Sequence, residues 1–206
     1  MKTLSLFIIL LMIPSCVSKK YTKIKQLPDG IKSATEELYL VSNNQKKLLY
    51  KKHMNFTKNG RIKNSVTTDS TGKLLQTTEK RLWFIVESYP DKENYYCKTR
   101  WKPNLRERIS CYTRKQFKQN EAIFYYNPDG TINKITDHFP PFYSQYYRYT
   151  NQMLSNIIIK DTNDNLINEI VINCIKKDEK GSCLQESRIS TKTNRTEELL
   201  LHPNYN

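Results

Sequence analysis

Four cysteines, three histidines and one aromatic run are the residues of this chain whose types and spacing could do chemistry. Cys97, Cys111, Cys174 and Cys183 make an even set outside the N-terminal segment, which in an oxidising compartment points to two disulfides. Local pairing, 97 with 111 and 174 with 183, is the economical arrangement, because each pair brackets a polar, turn-like stretch. Closing a loop of about 15 residues stabilises a fold by roughly 3 kcal/mol in the chain-entropy model. None of these cysteines has CxxC spacing and His53, His138 and His202 are scattered, so no zinc site is expected. Asp161, Asn163 and Asp164 lie in KDTNDN, which carries calcium-type oxygens but lacks the EF-hand glycine and terminal glutamate; a hairpin turn accounts for the same residues. Asp137 and His138 are neighbours, and neighbours on a strand point to opposite faces. The chain has no GxSxG elbow, phosphate loop, HExxH or dinucleotide fingerprint. Nothing in the sequence asks for a cofactor or a metal, and no enzyme is expected.

The strongest claim to a binding role is His138 to Tyr149, HFPPFYSQYYRY. Phe139, Phe142, Tyr143, Tyr147, Arg148 and Tyr149 form the candidate binding surface, because aromatic faces beside a guanidinium suit protein contacts and sugar rings. Pro140 and Pro141 exclude a central strand there and predict a stiff connection leading into one. Trp83 and Trp101 read as core residues or neighbours of a disulfide.

A fifth cysteine, Cys16, follows ten residues, LSLFIILLMI, with Lys2 ahead of them. The stretch is too short to span a bilayer as a helix, which takes about 20 apolar residues, and it has the length of a secretory h-region. Ile13-Pro14-Ser15-Cys16 resembles the bacterial lipobox, with Pro14 departing from the usual small residue at its position. That resemblance implies cleavage before Cys16, lipidation of its sulfur with diacylglycerol and a palmitate-type acyl chain, and attachment to a bacterial membrane. Val17 stands where an Asp favours inner-membrane retention, so in a diderm cell the implied site is the outer membrane, on its periplasmic side or at the surface.

The elements that must position these residues are strands. The expected organisation is a signal peptide over 1–15, a lipidated cysteine and Lys-rich tether over 16–30, and a single β-rich domain over 31–206. All five glycines sit in turn-like contexts, and runs rich in Tyr, Phe, Ile, Val and Thr lie between them. Strands are expected near 46–57, 61–68, 73–79, 82–89, 94–101, 107–114, 121–126, 131–136, 144–149, 153–160, 165–175 and 183–192. Residues 33–49 are ambiguous: Ser33 with Glu36 and Glu37 resembles a helix start, and the apolar positions fit either a short helix or a leading strand. A weak repeat of 11–12 residues runs through NFTKNGRIKNSV, TTDSTGKLLQTT, YYNPDGTINKIT, YRYTNQMLSNII and IKDTNDNLINEI. It resembles the YD-type (RHS-like) β-repeats, a likeness that implies architecture and no activity. The fold class is therefore mainly β, an antiparallel meander of hairpins forming a curved sheet, an open barrel or a sandwich.

The chain carries a net charge of +14. Lys2 is the only charge before Cys16, so the remainder is about as basic, and its natural partners are anionic. Export makes nucleic acid the weakest of these. The expected partners are membrane lipid through the anchor, and an envelope protein or an anionic envelope polymer. The leading functional reading is a non-catalytic binding or structural module of the cell envelope, of which an immunity or inhibitor protein is one form. Its alternatives are an envelope hydrolase with an unrecognised site and a basic adhesin that binds polymer.

Overall fold

The computed structural model describes residues 26–27, 30–43, 45–82, 84–93, 95–102 and 106–205. The signal-like segment, Cys16, most of the tether and Trp83 lie outside the described residues.

Fourteen antiparallel strands follow one another in chain order around a closed barrel. They are β1 (Ile31–Ser42), β2 (Gln45–Phe56), β3 (Ile62–Thr68), β4 (Leu74–Lys80), β5 (Ile85–Tyr89), β6 (Tyr95–Lys102), β7 (Arg106–Tyr112), β8 (Lys118–Tyr126), β9 (Ile132–Asp137), β10 (Ser144–Thr150), β11 (Met153–Lys160), β12 (Leu166–Lys177), β13 (Cys183–Ser190) and β14 (Thr196–Tyr205). The meander is as expected and twelve of the strands fall where the sequence puts them. Two points the sequence left open are narrowed. Among the described residues of 33–49 no helix forms; 33–42 belong to β1 and 45–49 to β2. Ala34, Glu36 and Leu38 alternate inward in a period of two, which overrides the helix-start resemblance of Ser33 and Glu36. The sheet is also neither open nor a sandwich. β14, which Glu197, Glu198 and Pro203 disguise in the sequence, pairs with β1 from Val41↔Thr196 to Ile31↔Tyr205 and closes the ring.

The sequence repeat is a repeated turn. Thr57, Asp69, Asn127, Asp161 and Asp178 each accept a hydrogen bond from the backbone N–H three residues on, and each donates to the carbonyl four residues on. The fourth turn residue takes a positive φ, at Gly130 (φ 92) and equally at Asp164 (φ 65). Asp69, Asp161 and Asp178 reinforce the turn through Oδ1, which accepts backbone N–H groups two and four residues on. A register shift lies beside each turn, as a bulged three- to four-residue hairpin loop requires. In four of these turns the aliphatic residue two places beyond the positive-φ position (Ile62, Leu74, Ile132, Leu166) opens the next strand. KDTNDN is thus a hairpin turn, and among the described residues there is no cluster of His, Cys, Asp or Glu that could hold a metal.

All strands run between two ends. At one end the chain enters: Gln26 Nε2 donates to the carbonyl of Gln152 at 2.6 Å, and its Oε1 accepts the Leu154 N–H at 2.9 Å. Leu27, within the segment expected as tether, is buried with Ile31, Ala34, Met54, Phe56 and Leu201. A second apolar cluster, Tyr126, Ile132 and Ile135 with Trp101 and Tyr147 against it, fills the other side of this base. The opposite end is a mouth, rimmed by the turns after β3, β5, β7, β9, β11 and β13.

Outward positions at mid-strand carry Lys51, Lys63, Glu79, Arg100 and Arg148. A barrel that crosses a bilayer presents an apolar outer band about 25 Å tall. This outer wall is charged along its length and is built for water. Among the described residues no helix is long and apolar enough to cross a membrane.

Candidate functional site

Barrels of about eight strands are filled by their own side chains, whereas those of 16–18 leave a channel. Fourteen strands fall between, and the interior holds a cavity of about 330 Å³. β2 to β8 supply its walls, because the inward positions of adjacent strands stand opposite one another: Thr78↔Glu87, Ile85↔Thr99, Thr99↔Ile109 and Glu107↔Phe124.

Polar groups dominate the inner wall. Ser65, Thr67, Thr78 and Thr99 are all buried, and so is Glu107. Tyr126 donates its hydroxyl to Glu107 Oε2 at 2.7 Å. Gln76 Nε2 donates to Tyr89 Oη at 3.1 Å, and Tyr89 donates onward to Glu87 at 3.4 Å. Burial pushes the Glu87 carboxyl above its ordinary range; the nearby Lys52 charge and the Tyr89 hydrogen bond oppose this and do not cancel it. Around the remaining wall, Tyr50 donates to Glu36 Oε1 at 2.8 Å, and Arg188 Nε meets Glu186 Oε1 at 2.5 Å. Burial works against the Arg188 charge, but Glu186 and Glu36 outweigh it and raise its pKa. Glu36 stands opposite Lys52 in register. The interior thus carries an alternating sequence of Glu186, Arg188, Glu36, Lys52 and Glu87, in which neighbouring charges compensate.

The cysteines join as two local pairs. Cys97 and Cys111 face one another in register, with Cα atoms 3.9 Å apart and both side chains buried on the inner wall toward the mouth. Cys174 and Cys183 clamp the ends of β12 and β13 at the base. The mouth opens into a groove of about 1080 Å³ lined by Lys92, Tyr95, Arg114, Lys115, Phe117 and Asn120. Phe117 is 68% exposed there.

The six residues of the candidate binding surface are not brought together. Phe139, Phe142 and Tyr143 sit in or beside the β9–β10 turn at the mouth, with Phe142 45% exposed. Arg148 is exposed on the outer wall. Tyr147 points inward against the Tyr126–Ile132–Ile135 cluster. Tyr149 donates to the Ile132 carbonyl at 2.8 Å, and burial pushes its hydroxyl up to about 12. A bulge between Arg148 and Tyr149 and the turn at 138–143 separate what the sequence lists side by side. His53 is exposed on the outer wall, 3.2 Å from Thr35 Oγ1. His138 is exposed at the mouth, and His202 is outside, 3.9 Å from Glu37. Among the described residues no histidine faces the cavity. The chemistry the interior offers is hydrogen bonding, with one proton to exchange at Glu87.

Sequence reasoning passed over Ser65, Thr67, Gln76, Thr78, Glu87 and Glu107. The available signal was small or polar residues on the alternate positions of strands that face a core, NSVTT and LLQTTEK, where a filled barrel would place Leu, Ile or Val.

The outer wall from β6 to β11 is a second polar feature. Arg100 stands directly opposite Arg108, a like-charge cross-strand pair. Lys98 lies 5.3 Å from the Tyr96 ring centroid, and Lys134 lies 4.8 Å from that of Tyr146. Glu121 meets Lys118 at 2.8 Å and Arg108 at 3.8 Å on this wall; on the opposite wall Lys51 meets Glu37 at 2.9 Å and Lys46 meets Glu198 at 2.6 Å.

No family model matches the chain, and no curated protein matches it in sequence. Among solved structures, a porin-like protein from Bacteroides uniformis aligns with 86% of this chain and 98% of its own, at TM-score 0.51 and 8% identity. The shared feature is the fold. A LolA superfamily protein from Nitrosomonas europaea aligns with 90% of this chain and 92% of its own at TM-score 0.43 and 8% identity. An outer membrane lipoprotein-sorting protein domain from Vibrio parahaemolyticus does so over 86% and 87% at 0.38 and 7%.

Proposed function

We propose that this chain is a lipid-anchored lipoprotein of a bacterial envelope whose barrel works as a non-catalytic binding cup. The observation that carries the reading is the asymmetry of the barrel: apolar side chains gather inside the end where the chain enters, a polar-lined cavity lies within the wall beyond them, and a groove lies at the opposite end. A lipidated Cys16 would lie ten residues before Gln26, which is docked at the base. The anchor would therefore hold the base toward the membrane and leave the mouth facing away from it. Val17 favours the outer membrane in a diderm cell. An immunity or inhibitor role would use the mouth, where Phe117, Phe142 and Tyr143 stand among Lys92, Arg114 and Lys115. Labelling of cells with a palmitate analogue tests the anchor. The chain is expected to take the label and to fractionate with membranes, and Cys16→Ala to do neither; equal labelling of the variant overturns the reading.

The Arg100–Arg108 pair favours a second partner, an anionic envelope polymer along the outer wall. Two guanidinium groups held opposite one another, with Glu121 3.8 Å from Arg108 as a partial counter-charge, favour a ligand that brings further negative charge, and Tyr96 and Tyr146, each beside a lysine of the same wall, suit sugar rings. Retention of an acidic polysaccharide should fall with salt and be lost in Arg100→Glu/Arg108→Glu.

A further inference from the structure

We propose that the cavity walled by Thr78, Glu87 and Glu107 binds one neutral sugar ring, or a polyol of that size. The proposal rests on the reading of the barrel as a binding cup and names what the cup holds. Its first ground is three hydroxyl groups. Among the described residues Ser65 Oγ, Thr67 Oγ1 and Thr78 Oγ1 are buried and have no hydrogen-bond partner. Their residues are 2%, 6% and 4% exposed. They form one patch, because Ser65 stands opposite Thr78 and Thr67 opposite Gln76 on the inner faces of β3 and β4. Thr78 and Gln76 line the cavity itself. A buried hydroxyl left unpaired is costly, and native proteins avoid it unless a ligand or bound water completes it.

The second ground is the composition of the wall. Hydroxyl, amide and carboxyl groups of Thr78, Thr99, Gln76, Glu87 and Glu107 stand on one cavity with Ile85, Ile109 and Phe124. Directed polar groups set among apolar faces suit a molecule with hydroxyls around its edge and C–H groups on its faces. An acyl chain would leave the Thr78 hydroxyl, which lines the cavity, unpaired. An anionic ligand is disfavoured on a cavity that carries Glu87 and Glu107 with, among the described residues, Lys52 as its one basic side chain. The volume of about 330 Å³ would hold about eleven waters at liquid density and so has room for a molecule of monosaccharide size.

The full chain, purified in detergent, is titrated by calorimetry with glucose, galactose, N-acetylglucosamine and myo-inositol, and in parallel with choline and palmitate. At least one of the first four should bind, and Thr78→Val or Glu87→Gln should weaken it by about tenfold, the effect of losing one or two buried hydrogen bonds. Binding of choline or palmitate in their place, weakened by Thr78→Val, overturns the ligand class and leaves the cup reading standing. Binding of none of the six overturns the proposal and counts against the cup as well. A measurement without ligand separates a ligand site from structural water. If the hydroxyl is kept for a ligand, Thr78→Val raises the melting temperature by about 2–4 °C. A fall in melting temperature would mean that the hydroxyl is already satisfied by water held in the native fold, and it would overturn the proposal.

Discussion

The two ends of the barrel are made by the same kind of hairpin and differ in what stands inside them. At the base, Leu27, Ile31, Met54 and Phe56 face Tyr126, Ile132 and Ile135 across the lumen, and the last turn of the tether is pinned by Gln26. Toward the mouth the inward positions become Gln76, Tyr89, Asn120 and Asp137, and the rim carries both bases and acids. Sheet hydrogen bonding is continuous through both regions, so the backbone holds neither end shut. Closure is a property of side chains. A meander with apolar inward residues along its whole length would collapse its lumen; one with polar residues throughout would lack a core. This chain divides the two along each strand.

The largest expected effect is at the base. Met54 is fully buried, and Met54→Ala should cost about 2–5 kcal/mol in denaturant unfolding; a smaller loss would mean that the base is loosely packed. Next comes the mouth-side disulfide. Replacing Cys97 and Cys111 with serine frees a 14-residue separation and should cost about 3 kcal/mol, with the base-side pair, separated by 9, costing slightly less. Leu27→Ala should cost about 2 kcal/mol, near the low end for a buried leucine because a chain segment outside the sheet can shift to fill the gap. An unchanged stability would show that the entering segment does not seal the barrel.

The interior adds a pH test. Glu87 has a raised carboxyl pKa because burial disfavours its charge. The native state therefore keeps a proton that the unfolded chain has released. The contribution is complete below pH 4.5 and is lost as pH rises through the raised native value. Glu37, on the outer wall, is lowered by its hydrogen bonds from Lys51 and Tyr39, so its contribution is present above pH 4.5 and lost as pH falls through its native value. Stability measured from about pH 2 to 8 should lose its alkaline decline in Glu87→Gln and its acid decline, below pH 4.5, in Glu37→Gln; the reverse assignment would break the contrast between inner and outer walls. The smallest effect belongs to the rim. Phe117→Ser should change stability by less than about 0.5 kcal/mol, since the side chain is exposed.

Much of the fold was legible in the residues. TKNG, DSTG, NPDG and DTND specify their turns through local hydrogen bonds and one positive-φ position, and that chemistry needs no distant partner. The cysteine pairs were legible for the same reason, each bracketing one hairpin. β14 was not legible, because Glu197, Glu198 and Pro203 weaken its strand pattern and its place is fixed by pairing with β1, more than 150 positions away in sequence. The aromatic run 138–149 reads as one surface and is divided by a turn and a bulge into rim, outer wall and lumen. What the sequence by itself determined is the meander: alternation, turns and local crosslinks act over a dozen residues. What only the tertiary structure decided is that the meander closes. Closure gives the alternate faces their meaning, turning Gln76, Thr78, Glu87 and Glu107 from unremarkable strand residues into the wall of a cavity.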